Sequence, residues 1–425
     1  MQKITTSFIL FCVAIFSFTS CLSDECTDQR SYVRYDPVYT TADQFRTNTI
    51  ETESLKSLEN PGKIYYYNDY LLINQQGEGI HFYDNSDKAN PQFVVFYKIL
   101  GNYDMAIKDD LLVADNVIDM ITINISDIMN PVIIDRKEDY RSRWSWATDN
   151  PDYQYVAYRV PSPVKEVLDC SDSNFGRNQF WRGDVFLAEA NFDASTGTTQ
   201  SSGGSGSTGI GGSSARFTIV DNYLYAVDNN SLLAYSFESN SAPELENTSS
   251  LGWGIETIFP YEDNLFIGSN SGMHIFSLAN PAAPSRLSTF QHARACDPVV
   301  VEGDLAYVTL RDGNFCQGFA NQLDVIDISD LTDPTLIKSH NMKNPHGLSI
   351  DGEKLYLSEG SFGMKVLDVS DSKDVKEISW DSSIDSRDLI YLGNNHLMSI
   401  GETGFYQYDV TDPKNIIELS HIPTK

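Results

Sequence analysis

Seven ionisable side chains recur along the sequence, each about seven to nine residues before one of a series of regularly placed leucines. They are Lys63, Asp104, Arg216, Glu256, Asp297, His346 and Asp388. If the fold brings them together, the carboxylates and basic groups could bind a polar ligand or a divalent cation such as calcium. Paired carboxylates could also catalyse acid–base cleavage of a glycosidic bond. The alternative is structural, because polar side chains also line water-filled channels and cap strand ends.

The secondary-structure elements that must position these side chains can be predicted from the spacing of recurring leucines. These are Leu71, Leu111, Leu224, Leu265, Leu305, Leu355 and Leu397. Most successive leucines are about 40 residues apart, but 113 residues separate Leu111 from Leu224. Each is followed by a phrase such as "LDVIDISDLTDP" from Leu323, in which apolar residues alternate up to a polar turn. This period of two predicts antiparallel strands. Four short strands in a unit of about 40 residues are typical of a propeller blade.

The sequence therefore predicts an all-β fold, a seven-bladed β-propeller over residues 61–425 with a long loop insertion at 141–213. An eight-bladed propeller is the alternative, because the long gap could hold one more blade. The insertion ends in the Ser/Gly-rich stretch Ser195–Ser214, which is typical of a flexible loop. Its aromatic residues, from Trp144 to Trp181, could stack on sugars, form a partner-binding face or pack onto the propeller. Residues 21–60 are interpreted as a tether that could include a closing strand.

The repeated phrases resemble the LVIVD repeat, a propeller repeat of bacterial and archaeal cell-surface proteins. Val325–Ser329 and Val366–Ser370 carry the resemblance best, and the phrases from Leu232 and His274 carry it least. It covers residues 61–422 apart from the insertion. The resemblance implies a propeller on a cell surface. It does not imply one activity, because the same fold serves enzymes and binding proteins.

The N-terminus carries an export signal. The apolar run Ile4–Phe18 is shorter than the roughly 20 residues that cross a bilayer, and it leads into Phe18-Thr19-Ser20-Cys21. This ending resembles the lipobox of bacterial lipoproteins, which implies a signal peptide at 1–20 and lipidation of Cys21. An ordinary secretory signal is the alternative. Leu22–Glu25 looks like the surface-export tag of Bacteroidota lipoproteins, which implies anchoring to the outer membrane with exposure at the cell surface.

The net charge and the cysteine content limit which partners and cofactors we expect. With 30 basic and 59 acidic residues, the net charge of −29 repels phosphate backbones, so we expect no nucleic-acid partner. We therefore expect the N-terminal lipid to attach the protein to the membrane. Cys296 and Cys316 flank one predicted hairpin and could form a disulfide, which leaves Cys26 and Cys170 as the remainder. No cysteine spacing is typical of zinc sites, and we expect no cofactor.

These features predict a lipid-anchored surface propeller that binds a glycan, a peptide or an envelope partner. The sequence contains no nucleophile elbow, zinc-protease motif, P-loop or dinucleotide-binding motif. The alternative function is a glycan hydrolase or lyase whose site lies in the charged central funnel. A structural envelope protein without a small ligand is a third hypothesis.

Overall fold

The computed structural model describes residues 27–41, 46, 49–116, 119–140, 155–169, 210–211, 215–228, 230–237, 241–270, 272–291, 298–311 and 321–425. These residues contain β-strands and no helix. Accordingly, no helix among them has the length and hydropathy of a membrane span. The chain divides into two compact units, of which the smaller comprises Met1–Asp36 and Val160–Ala188.

Twelve described strands precede the third blade, of which eight form blades 1 and 2 and the other four are additional strands. They are β1 (Thr27–Thr40), β2 (Glu51–Glu53), β3 (Pro61–Tyr67), β4 (Tyr70–Gln75), β5 (Gly79–Asp84), β6 (Gln92–Lys98), β7 (Met105–Lys108), β8 (Leu111–Asn116), β9 (Asp119–Asn124), β10 (Val132–Lys137), β11 (Tyr155–Asp169) and β12 (Ile210–Gly211). Blade 1 contains β3 to β6 and blade 2 contains β7 to β10. Strands β1 and β11 pair with each other as a separate two-stranded sheet.

Five further blades follow along the chain. Their strands are β13 (Phe217–Val220), β14 (Tyr223–Val227), β15 (Ser231–Ser236), β16 (Glu244–Ser250), β17 (Ile255–Tyr261), β18 (Asn264–Ser269), β19 (Gly272–Ser277), β20 (Ser285–Gln291), β21 (Val299–Glu302), β22 (Leu305–Leu310), β23 (Gln322–Asp327), β24 (Thr335–Asn341), β25 (Leu348–Asp351), β26 (Lys354–Ser358), β27 (Met364–Asp368), β28 (Lys376–Asp381), β29 (Asp388–Tyr391), β30 (His396–Gly401), β31 (Gly404–Asp409) and β32 (Ile417–Pro423). Each successive group of four is one blade, numbered 3 to 7.

The described residues thus form seven blades, which confirms the prediction of a seven-bladed propeller. Within each blade the strands pair antiparallel in chain order. The repeated phrase is the third strand of its blade and the turn that follows. The gap between blades 2 and 3 contributes no further blade among these residues, since β11 pairs with β1 and β12 pairs with β3.

The turn after each third strand shows why its aspartates recur. In blade 5, Asp327 accepts a hydrogen bond from the backbone N–H of Ser329 at 2.9 Å, and Asp330 accepts one from Thr332 at 2.9 Å. The same pattern places Asp368 against Ser370 in blade 6. These side chains replace backbone partners that the turn leaves unpaired. The turn aspartates are therefore structural.

Neighbouring blades are joined through the carbonyl groups of these same turns. A side chain of one blade donates a hydrogen bond to a turn carbonyl of the next, as in Tyr97 to Ile128, Tyr225 to Pro281, Ser288 to Leu331 and Ser379 to Pro413. The last blade contacts the first in the same way, because the Gln407 amide donates to the carbonyl of Lys88 at 3.1 Å. The backbone N–H of Lys425 also donates to the carbonyl of Leu58 at 3.0 Å. Among the described residues, the ring therefore closes without a strand shared between its first and last blades.

The propeller has two distinct ends. Inner strands begin at one end, here called the entry face, and because strands alternate in direction the connections from second to third strands lie there too. The opposite end, the turn face, carries the first hairpin turn of each blade and the repeated aspartate turns. Residues Glu51–Glu53 pair with the outer strand of blade 1. The described part of the segment before the repeats thus adds an outer strand to the first blade, and no strand in that part pairs with the last blade.

Candidate functional site

Lys63, Asp104 and Arg216, from the inner strands of blades 1, 2 and 3, meet at the entry face. The Lys63 ammonium group forms an ion pair with Oδ2 of Asp104. The same oxygen accepts a hydrogen bond from the backbone N–H of Arg216. The other carboxylate oxygen of Asp104 accepts one from the backbone N–H of Met105 at 2.8 Å. Asp104 is thus the shared acceptor that connects three consecutive inner strands.

Asn102 and Asp115, which no sequence pattern singles out, hold Asp104 in place. Oδ1 of Asp115 accepts hydrogen bonds from the backbone N–H groups of Tyr103, at 2.6 Å, and Asp104, at 2.8 Å. The Asn102 amide donates to the same Asp115 oxygen at 3.0 Å and to the Asp104 carbonyl at 2.9 Å. Asn102 and Asp115 are fully buried. Buried polar groups with these partners fix the geometry of the loop into the inner strand.

Burial dominates the electrostatics of this group. Only 14% of the Lys63 side chain and 2% of the Asp104 side chain are exposed. Burial lowers the pKa of Lys63, and the neighbouring Asp104 carboxylate opposes that shift. The ion pair is therefore an internal contact between blades, with little surface left for a ligand.

Asp388, from the inner strand of blade 7, repeats the geometry of Asp104. One of its carboxylate oxygens accepts a hydrogen bond from the backbone N–H of Leu389 at 2.8 Å. The other oxygen is buried without a hydrogen-bond partner among the described residues. Burial raises the pKa of Asp388 well above its ordinary value, and the positive charge of Lys63 opposes this. Asp388 is therefore prone to retain its proton.

His346 lies in a separate group. Both of its ring nitrogens lie 2.8 Å from a guanidinium nitrogen of Arg311, and the Asn344 amide nitrogen lies 3.1 Å from Nε2. Burial, followed by the charge of Arg311, lowers the pKa of His346 well below its ordinary value, so the imidazole is neutral. Only 5% of His346 is exposed, so its ring has little surface free for a ligand.

A difference of one residue in register explains why His346 lies apart. Asp104 stands four residues before Lys108, the last residue of its inner strand, whereas His346 stands five residues before the equivalent Asp351. Successive side chains of a strand point to opposite faces, so this shift changes the surroundings of the side chain. Glu256 shares the register of His346, relative to Tyr261.

Several predicted residues lie outside the described part of the chain. They are Asp297, the lipidation candidate Cys21, the disulfide candidates Cys296 and Cys316, and the remaining Cys26 and Cys170. Within the described residues, no group of three or more His, Cys, Asp or Glu side chains is arranged to hold a metal ion. The calcium hypothesis therefore has no candidate site in that part.

The end of the insertion adds a strand to the channel side of blade 1. Ile210 pairs with Tyr66 and Gly211 pairs with Tyr65, on the innermost strand of the blade. A Cβ atom at Gly211 would lie 3.0 Å from the Tyr65 ring, so a larger residue would crowd it. Nothing in the sequence indicates this contact, because a two-residue strand has no periodicity.

An exposed aromatic surface on blade 6 was also missed. We call Lys343, Phe362 and Trp380 the blade 6 platform. Phe362 is 44% exposed and Trp380 is 38% exposed. The Lys343 ammonium nitrogen lies 3.9 Å from the centre of the Trp380 ring and 5.5 Å from that of Phe362. These three residues belong to three separate segments, so only the fold shows that they meet.

Comparison with known proteins supports the fold. No family model and no curated protein matches the chain. Among solved structures, a protein from Lactobacillus plantarum has a TM-score of 0.53 and 11% identity, covering 86% of this chain and 96% of that one. Sqt1 from Saccharomyces cerevisiae has a TM-score of 0.52 and 9% identity, with 88% of each chain covered. BamB from Moraxella catarrhalis has a TM-score of 0.50 and 7% identity, covering 90% of this chain and 97% of that one. Identities this low establish similarity of fold alone.

Proposed function

We propose that this chain is a lipid-anchored cell-surface propeller that binds a glycan, a peptide or an envelope protein through its entry face. The N-terminal sequence ending at Cys21 supports the anchor. The segment Leu22–Glu25, which contains two acidic residues, supports exposure at the cell surface. Both features are independent of the propeller itself.

The observation that carries the proposal is the difference between the two faces. Connections on the turn face are short and nearly identical, such as the two-residue turn between β3 and β4. Two connections that start and end at the entry face span many more residues: one runs from Lys137 to Phe217 between blades 2 and 3, and the other from Leu310 to Gln322 between β22 and β23. Variable loops on a rigid scaffold are where binding residues concentrate. The entry face is therefore the surface that distinguishes this propeller from a plain ring of repeats.

The contacts at the inner strands favour binding over catalysis in the funnel. Asp104 is already paired with Lys63 and with two backbone N–H groups. Asp388 is fully buried. A glycoside hydrolase typically needs two carboxylates that reach the substrate. The enzyme hypothesis is therefore the less favoured one, and its test is release of reducing ends from glycans by wild type but not by Asp104→Asn under conditions in which thermal unfolding shows the variant to be folded.

The test of the binding proposal uses a soluble form beginning at residue 22. Thermal-shift screening against defined glycans and peptides identifies a ligand. A photo-crosslinking amino acid is then placed at Phe362 on the entry face or at Thr332 on the turn face. We expect the ligand to be labelled from Phe362 alone. Labelling from Thr332 alone, or equally from both, would contradict the proposal.

The anchor is tested separately in cells. Cys21→Ala should release the protein from the membrane fraction and abolish incorporation of labelled fatty acid, whereas Cys12→Ala should change neither. Retention of Cys21→Ala in the membrane fraction would refute lipid anchoring.

A further inference from the structure

The blade 6 platform is fixed in position by the turn beneath it. The indole N–H of Trp380 donates a hydrogen bond to the carbonyl of Phe362 at 2.7 Å. The turn that carries Phe362 lies so close to the outer strand that a Cβ atom at Gly363 would be 1.9 Å from the carbonyl oxygen of Asp381. Gly363 also has a φ of 96°, which favours glycine. The two aromatic rings are therefore held by backbone contacts while remaining exposed.

A buried carboxylate fixes the segment that carries Lys343. Glu359 accepts hydrogen bonds from the backbone N–H groups of Lys343, at 2.9 Å, and Asn344, at 2.6 Å. Its charge is balanced by Lys365, whose ammonium nitrogen lies 2.8 Å from Oε1 of Glu359. The side chain of Glu359 is fully buried. Glu359 therefore orders the loop that carries Lys343 through its backbone, and its ion pair is with Lys365.

Lys343 is unusual in so acidic a chain. Its ammonium group contacts the rings of Trp380 and Phe362, and among the described residues no carboxylate lies within ion-pair distance of it. A cation over an aromatic face is attracted by the ring but keeps its capacity to pair with an anion. The platform thus combines a positive group with two exposed apolar rings on a protein of net charge −29.

We propose that the blade 6 platform binds an acidic sugar, a uronic acid unit of a polysaccharide, with its carboxylate on Lys343 and its ring on the aromatic side chains. The C–H face of a sugar ring matches an exposed aromatic ring, and the carboxylate matches the Lys343 ammonium group. The Lys365 ammonium nitrogen, 5.5 Å from the centre of the Trp380 ring, is already paired with Glu359. A phosphate ligand would be favoured instead by several N–H donors or a bidentate arginine. This inference rests on the proposed function and names the ligand class that the entry face takes.

The test measures binding of tetragalacturonic acid by titration calorimetry to the soluble form beginning at residue 22. Neutral galactotetraose is the ligand control. We expect the acidic tetramer to bind and the neutral one to bind at least about tenfold more weakly, equivalent to about 1.4 kcal/mol. Equal binding of the two ligands, or no binding of the acidic tetramer, would overturn the inference.

Matched variants locate the site. Lys343→Gln and Phe362→Ala should each weaken binding of the acidic tetramer by about tenfold. Their controls are Lys354→Gln, which removes the same charge from the turn face of the same blade, and Leu336→Ala, which truncates another exposed apolar side chain. The controls should change affinity less than about twofold. Equal losses in Lys343→Gln and Lys354→Gln would show diffuse charge attraction and overturn the site.

Failure here is distinguishable from failure of the proposed function. If the platform variants bind as wild type while labelling from Phe362 persists for another ligand, only the acidic-sugar site is wrong. If labelling occurs from Thr332 instead, the entry face itself is wrong. Thermal unfolding of each variant, expected within a few degrees of wild type because these side chains are exposed, checks that the fold is intact.

Discussion

Replacing Asp104 by asparagine tests whether the entry-face ion pair joins the inner strands. Asparagine retains one oxygen for the Met105 N–H but places an NH₂ group where Oδ2 now accepts from Lys63 and Arg216. Three donors would then face each other without an acceptor. The Lys63 charge would remain largely buried, because 14% of that side chain is exposed.

The expected loss can be estimated from the contacts removed. Removing one partner of a buried ion pair costs about 3–5 kcal/mol, because the other charge stays buried without compensation. The hydrogen bond from the Arg216 N–H contributes about 1 kcal/mol within that range. We therefore expect Asp104→Asn to lower the free energy of unfolding by about 3–5 kcal/mol.

Urea unfolding at pH 7 of the soluble form measures this loss. Asp374→Asn is the control, since its ion pair with Lys376 is 62–67% exposed and should contribute less than about 1 kcal/mol. A double-mutant cycle with Lys63→Met isolates the pair and should give a coupling energy above about 1 kcal/mol. If Asp104→Asn costs no more than Asp374→Asn, the ion pair does not join the blades and the reasoning fails.

Three further predictions concern buried ionisable side chains and their partners. Because the folded pKa of Asp388 is raised, the folded state keeps a proton that the unfolded state loses above about pH 4, so stability falls as pH rises from there. Asp388→Asn should gain stability relative to wild type between pH 4 and pH 8 in urea unfolding, and a constant difference would contradict this. Burial lowers the pKa of His396 to about 4, so the unfolded state takes up the proton first and stability falls by about 3 kcal/mol as pH drops from 6.5 towards 4. His396→Gln should flatten that slope, and an unchanged slope would refute the assignment. Arg46 binds buried Asp119 through two hydrogen bonds of 2.8 and 2.9 Å, so Arg46→Ala should speed hydrogen exchange at Glu51–Glu53; exchange equal to wild type would show that this contact does not hold the segment.

The fold could be predicted from the sequence because its information is local and repeated. The phrase from Leu323 contains the alternating residues of one strand, the aspartates of its turn and the residues that lead into the outer strand. Seven copies give seven blades, and each turn forms within a few residues of chain. The joint between the last and first blades had no such local signal: the sequence suggested a possible closing strand in residues 21–60, whereas in the structure Gln407 reaches the turn at Lys88.

The candidate site was only partly predictable because it depends on register and on contacts between distant segments. Counting back from a recurring leucine located Asp104 and Lys63, which do meet. The same count was one residue out of register at His346, and a shift of one residue is enough to move a side chain to the other face of a strand. No period in the sequence indicates that Lys343 and Trp380 lie together, because the turn and the outer strand that unite them are set by tertiary packing.

The closure of the ring bears on how such a protein can change in size over evolution. The sheets of blades 2 to 7 are each built from one stretch of chain, and the last blade binds the first through the same kind of turn contact that joins other neighbours. Duplication or deletion of a single stretch of about 40 residues would therefore add or remove a whole blade without cutting a sheet. A propeller closed by a shared strand would have to preserve both chain ends together. Here the gene can gain length anywhere between two blades, and the long segment between blades 2 and 3 occupies such a position.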